Sequence, residues 1–137
     1  MLLRIFLVAA ALAGCATSRT PVPIDWRYVD NPEARRIEVH FRNENDKAVC
    51  LSASYWPDPD GMLDTVVEGG FILVGKERFA LKNYNTAYCP KGCQLRIGGG
   101  EEIKEFLPYK YYDLPERLWQ EPKILEFRPQ AYVCQSK

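Results

Sequence analysis

His40 is the one histidine of the chain, and an imidazole is the side chain best suited to act as a base near neutral pH. A serine hydrolase would need His40 beside a serine and a carboxylate, and Ser52 and Ser54 follow on the next predicted strand. The sequence contains no Gly-x-Ser-x-Gly elbow and no recognisable oxyanion hole. We therefore interpret His40 as an exposed strand histidine and predict no catalytic residue. A hydrolytic enzyme using His40 is the least favoured alternative.

The N-terminus has the pattern of an export signal. Arg4 precedes an apolar run over residues 5 to 12, which is too short to span a bilayer. The run ends in Leu12-Ala13-Gly14-Cys15. This segment resembles the lipobox of bacterial lipoproteins. The resemblance implies that signal peptide 1–14 is removed, that the Cys15 thiol is joined to diacylglycerol, and that the new amine receives a fatty acid such as palmitate.

The residue after the anchor adds a destination. The residue after Cys15 is Ala16 and not an aspartate. In this the sequence resembles lipoproteins that are passed on to the outer membrane. We expect a membrane-anchored protein of the cell envelope that faces the periplasm. Residues 15–23 are small, polar and proline-bearing and are interpreted as the lipidated cysteine and its tether. Residues 24–137 have the length of a single domain.

Four further cysteines predict two disulfides in an oxidising compartment. Proline and glycine lie between Cys89 and Cys93, which suits a tight turn closed by its own disulfide. That pairing leaves Cys50 for Cys134, although four cysteines allow three pairings. A zinc site is the alternative, but the spacing lacks the two C-x-x-C pairs that such sites usually have. We predict no metal site and no cofactor.

Two other segments have only partial motifs. Carboxylates recur around Gly61, at Asp58, Asp60 and Asp64, but Pro59 interrupts the order that an EF-hand loop needs, and a proline-rich turn is favoured. Three glycines at positions 98–100 are followed by glutamates, which would repel a phosphate, and predict a hairpin turn.

Aromatic residues form the most suggestive binding candidate. Tyr109, Tyr111, Tyr112 and Trp119 lie in connections where polar residues are usual. Such rings provide contact area in interfaces, so a recognition surface is one interpretation. The favoured interpretation is that they cover one end of the core. Because Tyr111 and Tyr112 are adjacent, an extended chain would point them in opposite directions, with one ring buried and one exposed.

The coarse pattern predicts an all-β protein. Residues 36–42 alternate without a break, and residues 48–56 resume the alternation, so the two segments are predicted to pair as a hairpin. Later strands are predicted over residues 71–74, 78–84, 94–97, 102–107 and 124–134, with a short helical turn near residues 113–119. We predict an antiparallel sandwich of about seven strands that resembles immunoglobulin-like folds in architecture.

Composition limits the partners. Lysine and arginine number 18 and aspartate and glutamate also 18, so no attraction to nucleic acid is expected. The sequence favours a non-enzymatic binding or structural module that contacts the membrane through its lipid and an envelope protein or polymer through its loops. A periplasmic inhibitor of a hydrolase is the alternative.

Overall fold

The fold was analysed in a computed structural model that describes residues 19–64, 70–82, 84–85 and 94–134. These residues form twelve short strands and three single turns of 3₁₀ helix. In chain order the strands are β1 (Pro21–Val22), β2 (Asp25–Asn31), β3 (Arg36–Arg42), β4 (Val49–Ser52), β5 (Leu63–Asp64), β6 (Phe71–Val74), β7 (Glu77–Ala80), β8 (Tyr84–Asn85), β9 (Gln94–Ile97), β10 (Glu102–Pro108), β11 (Ile124–Glu126) and β12 (Ala131–Val133). The 3₁₀ turns are Ala53–Tyr55, Tyr109–Tyr112 and Glu116–Leu118.

Three antiparallel sheets make up the body of the protein. Their strand orders are β1-β12-β4-β9, β10-β3-β2 and β11-β6-β7, and a separate parallel pair joins β5 to β8. Side chains from all three sheets share one buried core. The predicted all-β, sandwich-like class is therefore confirmed, with twelve strands in place of about seven. In the part of the chain that the structure describes, no helix is long and apolar enough to cross a membrane.

Strand β3 is the centre of its sheet and has the bounds that its alternation predicts. Ile37, Val39 and Phe41 are all buried at 1% exposure or less. Strand β2 pairs along one side of β3 and β10 along the other, over all seven residues of β3. This sheet carries the framework of the site described below.

The predicted hairpin between β3 and β4 is wrong. Strand β3 pairs with β2 and β10, whereas β4 pairs with β12 and β9. The connection over residues 43–48 therefore crosses from one sheet to another. The three glycines at 98–100 do the same between β9 and β10, so they also do not form the predicted hairpin turn. Local alternation predicts a strand but does not choose its neighbour, because both sheets contribute to one core.

Asn43 joins these two crossings and is only 1% exposed. Its Nδ2 lies within 3.1 Å of the carbonyl oxygens of Lys47, Ile97 and Gly98. Its Oδ1 accepts a hydrogen bond from the backbone of Asn45 at 3.1 Å. The two connections approach so closely that a Cβ on Gly99 would lie 2.6 Å from the carbonyl oxygen of Asp46.

Strand β12 holds both ends of the described chain in one sheet. It pairs with β4, and a disulfide joins Cys50 of β4 to Cys134, directly after β12, with 5.0 Å between the Cα atoms. This is the pairing that the sequence favours. The predicted strand 124–134 is divided into β11 and β12 around Pro129, which has no N–H for a ladder. On its other side β12 pairs with β1, so two residues of the segment that the sequence assigns to the tether belong to the sheet.

Candidate functional site

A cleft of about 530 Å³ lies at the end of the β10-β3-β2 sheet and opens to solvent. Its walls are formed by the turn before β3, the start of β3, the end of β10, the first 3₁₀ turn after β10, and residues next to the second one. Its lining combines apolar, aromatic and basic side chains: Ala34, Arg35, Arg36, Phe106, Pro108, Tyr109, Lys110, Asp113, Leu114 and Trp119. The volume is in the range of sites that bind small molecules or short peptide segments.

Arg35 and Trp119 form one wall of the cleft. The Arg35 guanidinium carbon lies 4.5 Å from the centre of the Trp119 ring, which is a cation–π contact. The Trp119 ring is fixed from behind, because its Nε1 donates to the Leu114 carbonyl oxygen at 3.1 Å. The Arg35 carbonyl oxygen accepts from the backbone N–H of Tyr109 at 2.9 Å, so the β2–β3 turn is attached to the 3₁₀ turn.

Backbone strain is concentrated at the same place. Among the described residues, Arg35 (φ 54°) and Asp113 (φ 49°) are the non-glycine residues with positive φ. Both line the cleft. A left-handed conformation is unfavourable for a residue with a Cβ, and residues held in it are frequent at binding and active sites.

The charges in the cleft are unequal. Arg36 Nη2 donates to Glu38 Oε1 at 2.7 Å, and this hydrogen bond holds the pKa of Glu38 below its usual 4.5. Asp113, the one carboxylate of the lining, is 2.6 Å from Lys82 Nζ. Arg35 and Lys110 have no carboxylate partner in the described part of the chain. The cleft therefore carries an excess of positive charge.

A buried polar network supports the floor of the cleft. The Tyr109 hydroxyl donates to Asp30 Oδ1, and Lys123 Nζ donates to Asp30 Oδ2 at 2.9 Å. The Lys123 side chain is fully buried, and its ammonium also donates to the carbonyl oxygens of Trp119 and Glu121, at 2.6 and 2.9 Å. Burial, together with the hydrogen bond to Asp30, raises the pKa of Tyr109, so its hydroxyl stays protonated. All three donors of Lys123 are used, which indicates a structural role.

The structure corrects the predicted aromatic surface. Tyr109, Tyr111 and Tyr112 are 1%, 9% and 0% exposed, so the expectation of one buried and one exposed ring is wrong. The chain there is a 3₁₀ turn and not extended, and adjacent side chains are not placed on opposite faces. The core interpretation of these rings is correct. Tyr109 and the half-buried Trp119 also line the cleft, but Tyr111 and Tyr112 do not.

His40 is also buried, at 8% exposure, so its interpretation as an exposed histidine is wrong. Its Nδ1 lies 3.3 Å from Glu102 Oε1, and the hydrogen bond between them holds the pKa of Glu102 below its usual 4.5. His40 Nε2 has no hydrogen-bond partner among the described residues. Ser52 lies on β4 in another sheet.

Three predicted cysteine positions, Cys15, Cys89 and Cys93, lie outside the described residues. Within those residues, no group of three or more histidine, cysteine, aspartate or glutamate side chains is placed to hold a metal ion.

Sequence reasoning missed the basic half of the cleft. Arg35 is the last residue of the turn over residues 32–35 and Arg36 is the first residue of β3, and no local pattern distinguishes either from the other charged residues of the sequence. No protein-family model, curated protein or solved structure matches this chain.

Proposed function

We propose that this chain is an exported, lipid-anchored protein of the bacterial cell envelope whose β-domain binds a partner through the cleft beside Arg35 and Trp119. The binding role is independent of catalysis. The protein holds its partner near the membrane to which Cys15 attaches it.

The anchor is supported by the sequence of residues 12–15, and the oxidising compartment is supported by the disulfide between Cys50 and Cys134. Stable disulfides are typical of exported proteins and are rare in the cytosol of most bacteria. The two observations are independent of each other, and both favour export.

The observation that carries the binding role is the cleft itself. Its basic groups are only partly neutralised, and Arg35 is held in a left-handed conformation that is unfavourable for its side chain, whereas Asp113 adopts that conformation as the residue that ends the 3₁₀ turn. A side chain that serves packing alone gains nothing from such a conformation. A position that is maintained at a cost is typical of a site with a function.

The anchor is tested with the Cys15→Ser variant expressed in a bacterial host grown with a radioactive fatty acid. We expect the wild-type protein to be labelled and to fractionate with the outer membrane, and the variant to be unlabelled, because the thioether requires sulfur. A labelled variant, or a wild-type protein found wholly in the inner membrane, would contradict the anchor or its destination.

The binding role is tested by crosslinking the intact protein in its own envelope and identifying what is attached. The Arg35→Gly variant is the comparison, since it removes the basic wall of the cleft without touching the disulfide or the anchor. We expect a stoichiometric crosslinked partner with the wild-type protein and its loss with the variant. An identical crosslink pattern for both would remove the cleft as the binding site.

A further inference from the structure

We propose that the occupant of the cleft is a peptide segment of a protein partner in which a carboxylate side chain stands next to an apolar one. This inference rests on the binding role proposed above and names the chemistry of the partner. Three observations support the inference: the contacts of Arg35, the positive charge of the lining, and the small number of neutral polar groups in the lining that are free to form hydrogen bonds.

The charge of the lining selects an anion. Arg35 and Lys110 are basic and have no carboxylate partner among the described residues, and Asp113 is already paired with Lys82. Both side chains are exposed, so each attracts an anionic group only modestly, and the attraction is strongest where the two cations face the same ligand. A segment that brings one or two carboxylates complements this lining.

The geometry of Arg35 suits an anion with two oxygens side by side, such as a carboxylate. One face of its guanidinium lies on the Trp119 ring, and its N–H groups form no hydrogen bond to another described residue. Stacking fixes the plane of the group and leaves its edge available. Two parallel N–H groups along that edge match the two oxygens of a carboxylate, which gives a bidentate pair.

The rest of the lining favours an apolar neighbour for that carboxylate. Phe106, Pro108 and Leu114 provide apolar surface. The polar atoms of the aromatic residues are already used, because the Tyr109 hydroxyl donates to Asp30 and the Trp119 Nε1 donates to Leu114. An oligosaccharide would bury several neutral hydroxyl groups against a lining whose uncommitted polar groups are the charged Arg35 and Lys110, and hydroxyl groups left unpaired there are costly. A leucine or phenylalanine side chain has no such requirement.

The test uses the full chain in detergent micelles and synthetic peptides as probes. The probes are short acetylated peptides with amidated C-termini that carry glutamate next to leucine or phenylalanine in a glycine and serine background. The same peptides with glutamine in place of glutamate are the matched probes, and an oligosaccharide of uronic acids represents the other chemical class. Binding is measured by fluorescence anisotropy and by the NMR signals of the Trp119 indole N–H and the Arg35 side chain.

We expect the glutamate peptides to bind and to shift the Trp119 and Arg35 signals, and the glutamine peptides to bind about fivefold more weakly, as the loss of one exposed charged pair predicts. Arg35→Gly should reduce the affinity by a similar factor without lowering the melting temperature, because glycine relieves the left-handed strain. Lys110→Gln should reduce it less. Arg78→Gln is the control, since Arg78 also stacks on a ring, that of Phe71, but lies on β7 in another sheet.

Several outcomes would overturn the inference. These are no binding by any peptide, equal binding of glutamate and glutamine peptides, unchanged affinity of Arg35→Gly, or binding by the oligosaccharide with no binding by the peptides. The peptide measurements do not depend on lipid attachment. A failure here with a labelled Cys15 would therefore leave the anchor intact, and a failure of labelling would leave the peptide result standing.

Discussion

Tyr109 and Tyr112 bury their rings equally well, but their hydroxyl groups have different surroundings. The Tyr109 hydroxyl donates to Asp30, which is also held by Lys123. The Tyr112 hydroxyl is buried without a hydrogen-bond partner among the described residues, and burial raises its pKa. The Tyr109 hydroxyl therefore stabilises the fold, whereas the unpaired Tyr112 hydroxyl destabilises it.

Removal of the two hydroxyl groups should have opposite effects. Tyr112→Phe deletes an unpaired polar group and should stabilise the protein by about 1 kcal/mol. Tyr109→Phe takes a hydrogen bond from the Asp30 carboxylate and should destabilise it by about 2 kcal/mol. Urea unfolding of the two variants beside the wild-type protein measures both. Equal changes in the same direction would contradict this assignment of the two hydroxyl groups.

Glu105 should make stability depend on pH. It pairs in register with the fully buried Val39, and burial, with the charge of Asp58 in addition, raises its pKa above the usual 4.5. The folded state therefore holds the proton more tightly than the unfolded state does. Stability falls as pH rises from 4.5 through the folded pKa, and the cost is complete above it.

The Glu105→Gln variant removes this cost. We expect a higher melting temperature than the wild-type protein at neutral pH and no difference well below pH 4.5. Glu38→Gln is the control with the opposite sign, because the hydrogen bond from Arg36 lowers the pKa of Glu38 and stabilises its charged form. A Glu105→Gln gain that persists in acid would show that the cause is packing and not the proton.

Two of the ten residues that line the cleft could be anticipated from the sequence. Tyr109 and Trp119 stand out as aromatic side chains in connections, and both line the cleft. Arg35, Lys110 and Asp113 are ordinary surface residues in the sequence. Their proximity depends on the approach of the β2–β3 turn to the 3₁₀ turns after β10, and no local pattern encodes that contact.

Among the connecting elements, the two connections that meet at Asn43, residues 43–48 and 98–101, have the clearest structural role, because they join two sheets.

The strands predicted from alternation were mostly correct, and β3, β6 and β9 have the predicted bounds. Strand β2 was missed although Trp26 and Tyr28 alternate with exposed residues, because a tryptophan and a tyrosine among charged residues give a weak apolar signal. Strand neighbours could not be predicted, since the crossings are held by side chains distant in sequence.

Asn43→Ala should therefore weaken the joint between two sheets. The substitution leaves the carbonyl groups of Ile97 and Gly98 without their side-chain donor in a buried position, so we expect a loss of about 2 to 3 kcal/mol. Asn45→Ala is the matched control, because Asn45 is exposed and its side chain donates one hydrogen bond, to the Asn43 oxygen at 3.0 Å. Thermal unfolding compares the two. Similar small losses would show that the crossings are held by packing alone.

The disulfide acts on the whole molecule, because Cys50 and Cys134 are 84 residues apart. Closing a loop of this length restricts the unfolded chain and should stabilise the protein by about 4 kcal/mol in the chain-entropy model. Cys134→Ser should lower the free energy of unfolding by that amount. The double variant with Cys50→Ser should show the same loss, because both substitutions remove the same disulfide. Cys89–Cys93 stays a prediction, and its shorter loop would contribute less. Non-reducing peptide mapping identifies both pairs, and a peptide joining Cys50 to Cys89 or Cys93 would contradict the assignment.

The short first strand has a mechanical consequence. Strand β1 has two residues, and it docks on β12 with help from a hydrogen bond between the Val133 N–H and the Thr20 carbonyl oxygen at 3.1 Å. When the N-terminus is pulled, these few contacts yield before the seven-residue ladder between β2 and β3. Residues 20–23 then add about 13 Å to the length of the tether. The disulfide holds β12 in the sheet, so that β1 can pair with it again. For a domain anchored at Cys15, the tether to the membrane would therefore be short while β1 is paired with β12 and longer when β1 is detached.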